Sequence, residues 1–248
     1  MATAAKRWVS VIKTGFSTRA KVNTGETYCG YTLTADYTIE DLLVLVFVTS
    51  IDGPGVIYAQ AGVCGLDNNN APRLSVLRFD AADLPSLIAS GDAPMIALHE
   101  LGHTLGIGSL WTYINKTTPD PARPILYTFP GGIKGNEKIG GPSVGPVIED
   151  TGNSGTYRRH WKETIYESEL MTGYYGPGRA KMSMLTVGAL SDLGFSVNNK
   201  RADKFEVPVT SAPSPGLLMK SLNEHEKILN EDDTDHVIVR VKTVPKAS

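Results

Sequence analysis

The chain has 248 residues, 41% hydrophobic and 20% charged, enough to bury a substantial core in one large or two small domains. A net charge of −2 gives no basis for binding nucleic acid or an anionic membrane surface. No apolar run is long enough to cross a bilayer, so no transmembrane segment is expected.

The opening residues, MATAAKRWVSVIK, lack the apolar core and cleavage site of a signal peptide. Either the protein stays inside the cell or its leader is absent from the sequence. Residues 4–13 read as a short helix that buries Trp8, Val9, Val11 and Ile12 and closes at Gly15. Residues 16–40, rich in Thr, Tyr and Gly, read as loop with at most one edge strand. The continuously apolar run 41–49 fits a strand buried on both faces, the pattern of a central strand. Asp52-Gly53-Pro54-Gly55 marks a turn, residues 56–61 a short strand and 66–72 a loop. Residues 74–80 alternate as a further strand, either internal or an edge on which an extended peptide could add. Residues 83–90 read as a helix of one or two turns. The two cysteines, Cys29 and Cys64, flank the apolar strand and are expected close enough for a disulfide; spacing alone equally allows two thiols.

The stretch HELGHTLGIG, residues 99–108, carries the chemistry. Positions i and i+4 share a face of a helix, so His99 and His103 can address one metal ion. Glu100 beside them can act as a base toward a metal-held water, the arrangement of zinc proteases. The spacing predicts a helix over 94–105, stopped by Gly106 and Gly108. A catalytic zinc takes three protein ligands and keeps one open position. The metzincin pattern HExxHxxGxxH would put the third histidine at 109, but that residue is Ser109. His225 and His236 fall in a charged tail and read as solvated surface residues. His160 is therefore the candidate third ligand.

After Gly108 the chain turns loop-like through 109–160, long enough to carry it back to the metal. Residues 167–173, ESELMTG, form a tight segment in which no role is assigned to Glu169. Residues 183–193 read as an amphipathic helix stopped by Gly194, 208–215 as a linker, and the rest as a charged segment with one strand-like run at 237–241.

These motifs together resemble the leishmanolysin-type zinc metallopeptidases, a metzincin family in which an insertion separates the glycine from the third histidine. The resemblance rests on H99ELGH103TLGIG, H160W, E169LM171TG and T186VGALSDLGF195, with D41LLVLVFV, I51DGPG55, Q60AGVC64 and L77RFDAADL84 upstream, and covers roughly residues 4–197. It implies His99, His103 and His160 as zinc ligands, Glu100 as general base, and Met171 as the Met-turn methionine beneath the ion. It implies an α+β metzincin-type fold: a mixed twisted sheet with the active-site helix up to about residue 108, then a loop-rich lower subdomain over 109–197 with a closing helix. Residues 198–248 would be a linker and charged segment. The implied activity is zinc-dependent endopeptidase action on protein or peptide substrates, with one catalytic Zn2+ and a secreted or extracellular location. The family pattern has a strand before the first helix, whereas this sequence opens almost within that helix. It also has many disulfides in its cysteine-rich members, where this chain can form one. Gly173 stands where some metzincins carry a tyrosine. Two other readings of the residues remain: a thermolysin-like site with Glu137 or Glu149 as third ligand, and a non-catalytic binding domain stapled by zinc.

Overall fold

The structure, a computed structural model, describes residues 1–119, 122–174, 180–208 and 239–245. Helices and small sheets mix along the chain, the two shortest α-helices being α2 (Leu84–Ser90), where 83–90 reads as one, and α5 (Glu163–Tyr166), so the class is α+β. At its centre β6 (Leu43–Thr49), β7 (Ala59–Leu66), β8 (Pro72–Asp80) and β10 (Val239–Arg240) form a sheet in the order β10-β7-β8-β6. β8 runs parallel to β6 and antiparallel to β7, and β10 joins β7 in parallel at Gly65 and Leu66. β8 is buried along nearly its whole length and lies between two neighbours, so it is the internal strand and offers no edge to a peptide.

The apolar run at 41–49 behaves differently from its sequence pattern. Among the described residues β6 pairs only with β8, and Val46 and Val48 on one face are 44% and 58% exposed. Leu43, Leu45 and Phe47 on the other face pack against a second core, where Tyr31 stacks on Phe47 at 4.1 Å. A continuous apolar run registers affinity for burial but not which neighbour is present. Strand β7 begins later than the 56–61 reading and runs on through Leu66.

α1 (Ala2–Val11) and α3 (Ala93–Thr104) pack together beneath the sheet. The Trp8 indole N–H donates to the Leu98 carbonyl at 2.8 Å, and the Ser75 hydroxyl of β8 donates to the Thr104 carbonyl at 2.8 Å. These bonds tie α3 to α1 and to the central strand. α1 ends because Ile12 is extended and opens β1 (Ile12–Thr14), which pairs with β9 (Ser196–Val197), so Gly15 is not the stop.

Four short strands occupy residues read as loop: β2 (Thr18–Val22), β3 (Thr27–Tyr28), β4 (Tyr31–Thr32) and β5 (Tyr37–Ile39). Strands this short give no period to detect. β2 lies between β5 and β11 (Lys242–Pro245) in a second sheet. Over it sits the second core, with Val22, Ile39, Leu74 and Val241, and in it Cys29 and Cys64 are bonded with Cα atoms 5.4 Å apart.

The 109–160 stretch contains a helix, α4 (Pro130–Lys138), that the sequence did not signal because three of its nine residues are glycine. The glycines admit α6 (Met184–Asp192) at backbone contact. A Cβ on Gly131 would lie 2.3 Å from the Gly188 carbonyl oxygen, and one on Gly135 would lie 2.2 Å from that of Met184. Asp192 accepts from the Gly131 and Gly132 amides at 2.8 Å each, closing the exposed start of α4. The packed body continues past α6. Asp203 accepts from Arg7 at 2.9 Å and from the Met182 amide at 2.9 Å, and the Val207 amide donates to the Ile139 carbonyl at 2.8 Å. Most of the 208–215 linker, His225 and His236 lie outside the described residues, as does the start of the 237–241 run.

Glycine to alanine in an open helix stabilises it by about 0.4–1 kcal/mol. At Gly135 we expect the opposite sign, a loss of about 1–3 kcal/mol from overpacking against α6. A urea unfolding midpoint that rises in Gly135→Ala would contradict the backbone contact.

Candidate metal centre

α3 is built from good helix formers after a proline in its first turn, and spans residues 93–104 against the 94–105 expected. It stops at Gly106, whose φ of +99° is costly for any side chain but not for glycine. The Gly106 amide donates to the His103 carbonyl at 3.0 Å and the Ile107 amide to the Gly102 carbonyl at 3.1 Å, the paired bonds of a Schellman ending. Gly102 costs the helix about 1 kcal/mol of propensity. A Cβ there would lie 2.5 Å from the Met171 sulfur, so its absence lets Met171 rest against the helix between the two histidines.

His99, His103 and His160 converge. Their Nε2 atoms lie 3.1 Å (His99–His160), 3.1 Å (His99–His103) and 3.0 Å (His103–His160) apart. Among the described residues they form the one cluster of side chains able to hold a metal ion. Each Nδ1 faces a backbone carbonyl: Leu170 for His99 at 2.7 Å, Ile107 for His103 at 2.8 Å, and Thr156 for His160 at 3.3 Å. A carbonyl only accepts, so each Nδ1 carries the proton. Burial pushes all three imidazoles toward the neutral form: His99 is lowered, His103 lies well below its ordinary value, and His160 falls to about 3. Neutral rings protonated at Nδ1 leave three Nε2 lone pairs facing one another with no proton to share. Such contacts are not hydrogen bonds; they repel until a cation sits among them. The spacing is close to the edge of about 3.3–3.4 Å that follows from tetrahedral zinc–nitrogen bonds of about 2.0–2.1 Å. The donor set therefore fits zinc.

Glu100 follows His99 on the helix. It is 7% exposed, and no group among the described residues hydrogen-bonds its carboxylate. Burial alone lifts its pKa to about 8.

His160 reaches α3 because the chain passes the end of the helix at backbone contact. A Cβ on Gly108 would lie 1.8 Å from the Arg159 carbonyl oxygen. The next residue is tied to the methionine: the Trp161 amide donates to the Met171 carbonyl at 2.9 Å. Met171 is fully buried. The two glutamates of the competing reading lie elsewhere. Glu137 is exposed on α4, and Glu149 is engaged by the Lys162 ammonium at 2.7 Å, the Thr151 hydroxyl at 2.7 Å and the Glu163 amide at 3.1 Å. Sequence reasoning missed the three carbonyls of Ile107, Thr156 and Leu170, since every residue has one. It also missed Glu169, which is 2% exposed where a surface carboxylate was the default.

The sequence model of the leishmanolysin family, Peptidase M8, matches residues 31–207, a span that includes His99, Glu100, His103, His160 and Met171. A leishmanolysin homolog of Crithidia fasciculata is 32% identical over 165 residues, which is 61% of this chain and 24% of that protein. The chain thus spans about a quarter of the length of that curated relative.

Without a bound metal, the protein should show a stability maximum between the ordinary carboxyl value of 4.5 and the ordinary histidine value of 6.5. Below it, three imidazoles that are neutral when folded gain protons only on unfolding, so stability falls with pH from the ordinary histidine value of 6.5 downward. Above it, Glu100 and Glu163, raised by burial to about 8 and about 7, keep protons that the unfolded chain has already lost, so stability falls as pH rises toward those values. Denaturant titrations with chelator across pH 4.5–8 measure both limbs; stability rising steadily to pH 8 would refute the burial of the two carboxyls.

Proposed function

The chain belongs to the leishmanolysin (peptidase M8) family, and on that premise we propose that it is a zinc-dependent endopeptidase. The observation that carries the proposal is the convergence of three Nε2 lone pairs within 3.1 Å, next in sequence to a buried carboxylate that has no hydrogen-bond partner among the described residues. His99, His103 and His160 would hold the ion, leaving one position for water or substrate. Bound there, zinc supplies a Lewis acid that acidifies water and polarises a scissile carbonyl.

The remaining steps belong to the protein. Glu100 accepts the proton of the attacking water and delivers it to the departing amine. A carboxyl raised by burial is a stronger base than a solvated one, and a nearby dication offsets part of that rise, keeping it ionised for the task. The Leu170, Ile107 and Thr156 carbonyls hold the rings in the Nδ1–H tautomer, so that each Nε2 stays free to bind. Met171 packs beneath the rings as the Met-turn methionine, in the space left by Gly102.

The catalytic domain is taken as 1–197, with the segment to Val207 packed against it. Its upper subdomain, to about residue 108, carries the sheet and α3; its lower subdomain, 109–197, supplies His160, Met171 and α6. Substrates are protein or peptide chains. An extracellular or surface setting fits the disulfide, and no helix among the described residues is long and apolar enough to cross a membrane. A binding domain stapled by zinc is disfavoured by Glu100, because a closed structural site has no use for a buried, unpartnered carboxylate beside it.

Glu100→Ala should retain about one zinc per chain and lose about 10²–10⁴-fold in kcat on a casein-type substrate. His160→Ala should lose the zinc, while Glu149→Gln should keep it. Metal analysis paired with a protease assay reads all three. Zinc retained in His160→Ala and lost in Glu149→Gln would transfer the third ligand to the carboxylate.

A further inference from the structure

Glu169 is buried, and both of its oxygens are engaged. One accepts from the Met171 amide at 2.6 Å. The other accepts from the Ser183 amide at 3.1 Å and the Ser183 hydroxyl at 2.7 Å. The amides can only donate. The Ser183 hydroxyl already accepts from the Leu185 amide, so it turns its own proton to Glu169. A carboxylate with two acceptor oxygens matches this ring of donors; an amide side chain would turn its NH2 onto one of them.

The anchor is linked through backbone to two of the three histidines. Leu170, between Glu169 and Met171, supplies the carbonyl that receives the His99 Nδ1 proton at 2.7 Å. Its amide is held by the Lys181 carbonyl at 2.8 Å. Met171, held at its amide by Glu169, is held at its carbonyl by the Trp161 amide at 2.9 Å, one residue beyond His160. Ser183 caps α6, so the carboxylate ties the 169–171 turn to the start of that helix. Fixing the Met171 amide thereby fixes the direction of the Leu170 carbonyl, which belongs to the same peptide unit, and holds Met171 where its carbonyl meets the Trp161 amide next to His160.

We infer that Glu169 is a positioning residue of the metal centre: by binding the Met171 amide it aims the Leu170 carbonyl that orients His99. The inference rests on the proposed metal-binding reading of the site. It assigns Glu169 no contact with substrate or ion.

The test measures zinc affinity of the full chain by competition with a chromophoric chelator, and the visible spectrum with cobalt(II) in place of zinc. Glu169→Gln should weaken zinc binding by about 10–100-fold, the range for groups that orient a ligand, and should change the cobalt bands, which follow ligand geometry. Ile39→Ala, a truncation in the second core, controls for lost stability alone; it should lower the melting temperature and leave affinity and cobalt spectrum unchanged. If Glu169→Gln does not fold, Glu169→Asp takes its place with the same readouts, since a carboxylate one methylene shorter cannot span both sets of donors. A folded Glu169 variant with wild-type affinity and spectrum overturns the inference while the metal site stands. Equal loss of affinity in Ile39→Ala overturns it too, as a general effect of stability. A wild-type chain that binds no zinc sinks the metal reading and this inference with it.

Discussion

Three imidazole lone pairs held within 3.1 Å of one another are the constraint that organises this molecule. Left alone they repel, so each ring must be fastened from behind. The fastening is done by backbone: the carbonyls of Ile107, Leu170 and Thr156. Each of those carbonyls is itself set by a turn. Ile107 belongs to the Schellman ending of α3, Leu170 to the turn that Glu169 anchors, and Thr156 to a loop in which its amide returns to Asn153 at 2.9 Å. Much of the loop-rich lower half can be read as the means of delivering these carbonyls, together with His160, to one helix.

Delivery at that range requires chain segments to touch, and glycine supplies the contact. Gly108 lets the Arg159 backbone cross the end of α3, and Gly102 lets Met171 lie between the histidines. In the lower half Gly131, Gly135 and Gly188 let α4 and α6 meet backbone to backbone, which sets the helix whose first turn receives Glu169. A helix rich in glycine is weak alone. It forms here because α6 covers it and Asp192 closes its amino end.

The sequence displayed the parts whose information is local. His99, Glu100 and His103 could be put on one helix from spacing alone, and Gly106 as its end, because a four-residue repeat and a left-handed stop are properties of one turn of chain. The place of His160 came from counting donors and from family resemblance, and the structure brings its ring to the other two. Whatever depended on distant partners was hidden. Continuous apolarity makes residues 41–49 look central, yet β8 is the strand with neighbours on both sides. α4 was missed because its reason to exist lies in α6. Glu169 resembles any surface carboxylate, since nothing near it in sequence shows that the Ser183 amide and hydroxyl hold it. No pattern marked the three carbonyls, as every residue carries one.

The centre also differs from small zinc domains, in which the ion supplies the folding energy and the ligands gather only when it binds. Here α3 is held without it, by the Trp8–Leu98 bond, the Ser75–Thr104 bond and the large core beneath the sheet. The tautomers are set in advance as well, because a protonated Nδ1 is what the carbonyls demand. The fold keeps three imidazoles together and a carboxyl out of water, and both arrangements cost free energy. Such groups lower stability where they stand, as expected where a site is organised for chemistry rather than for stability.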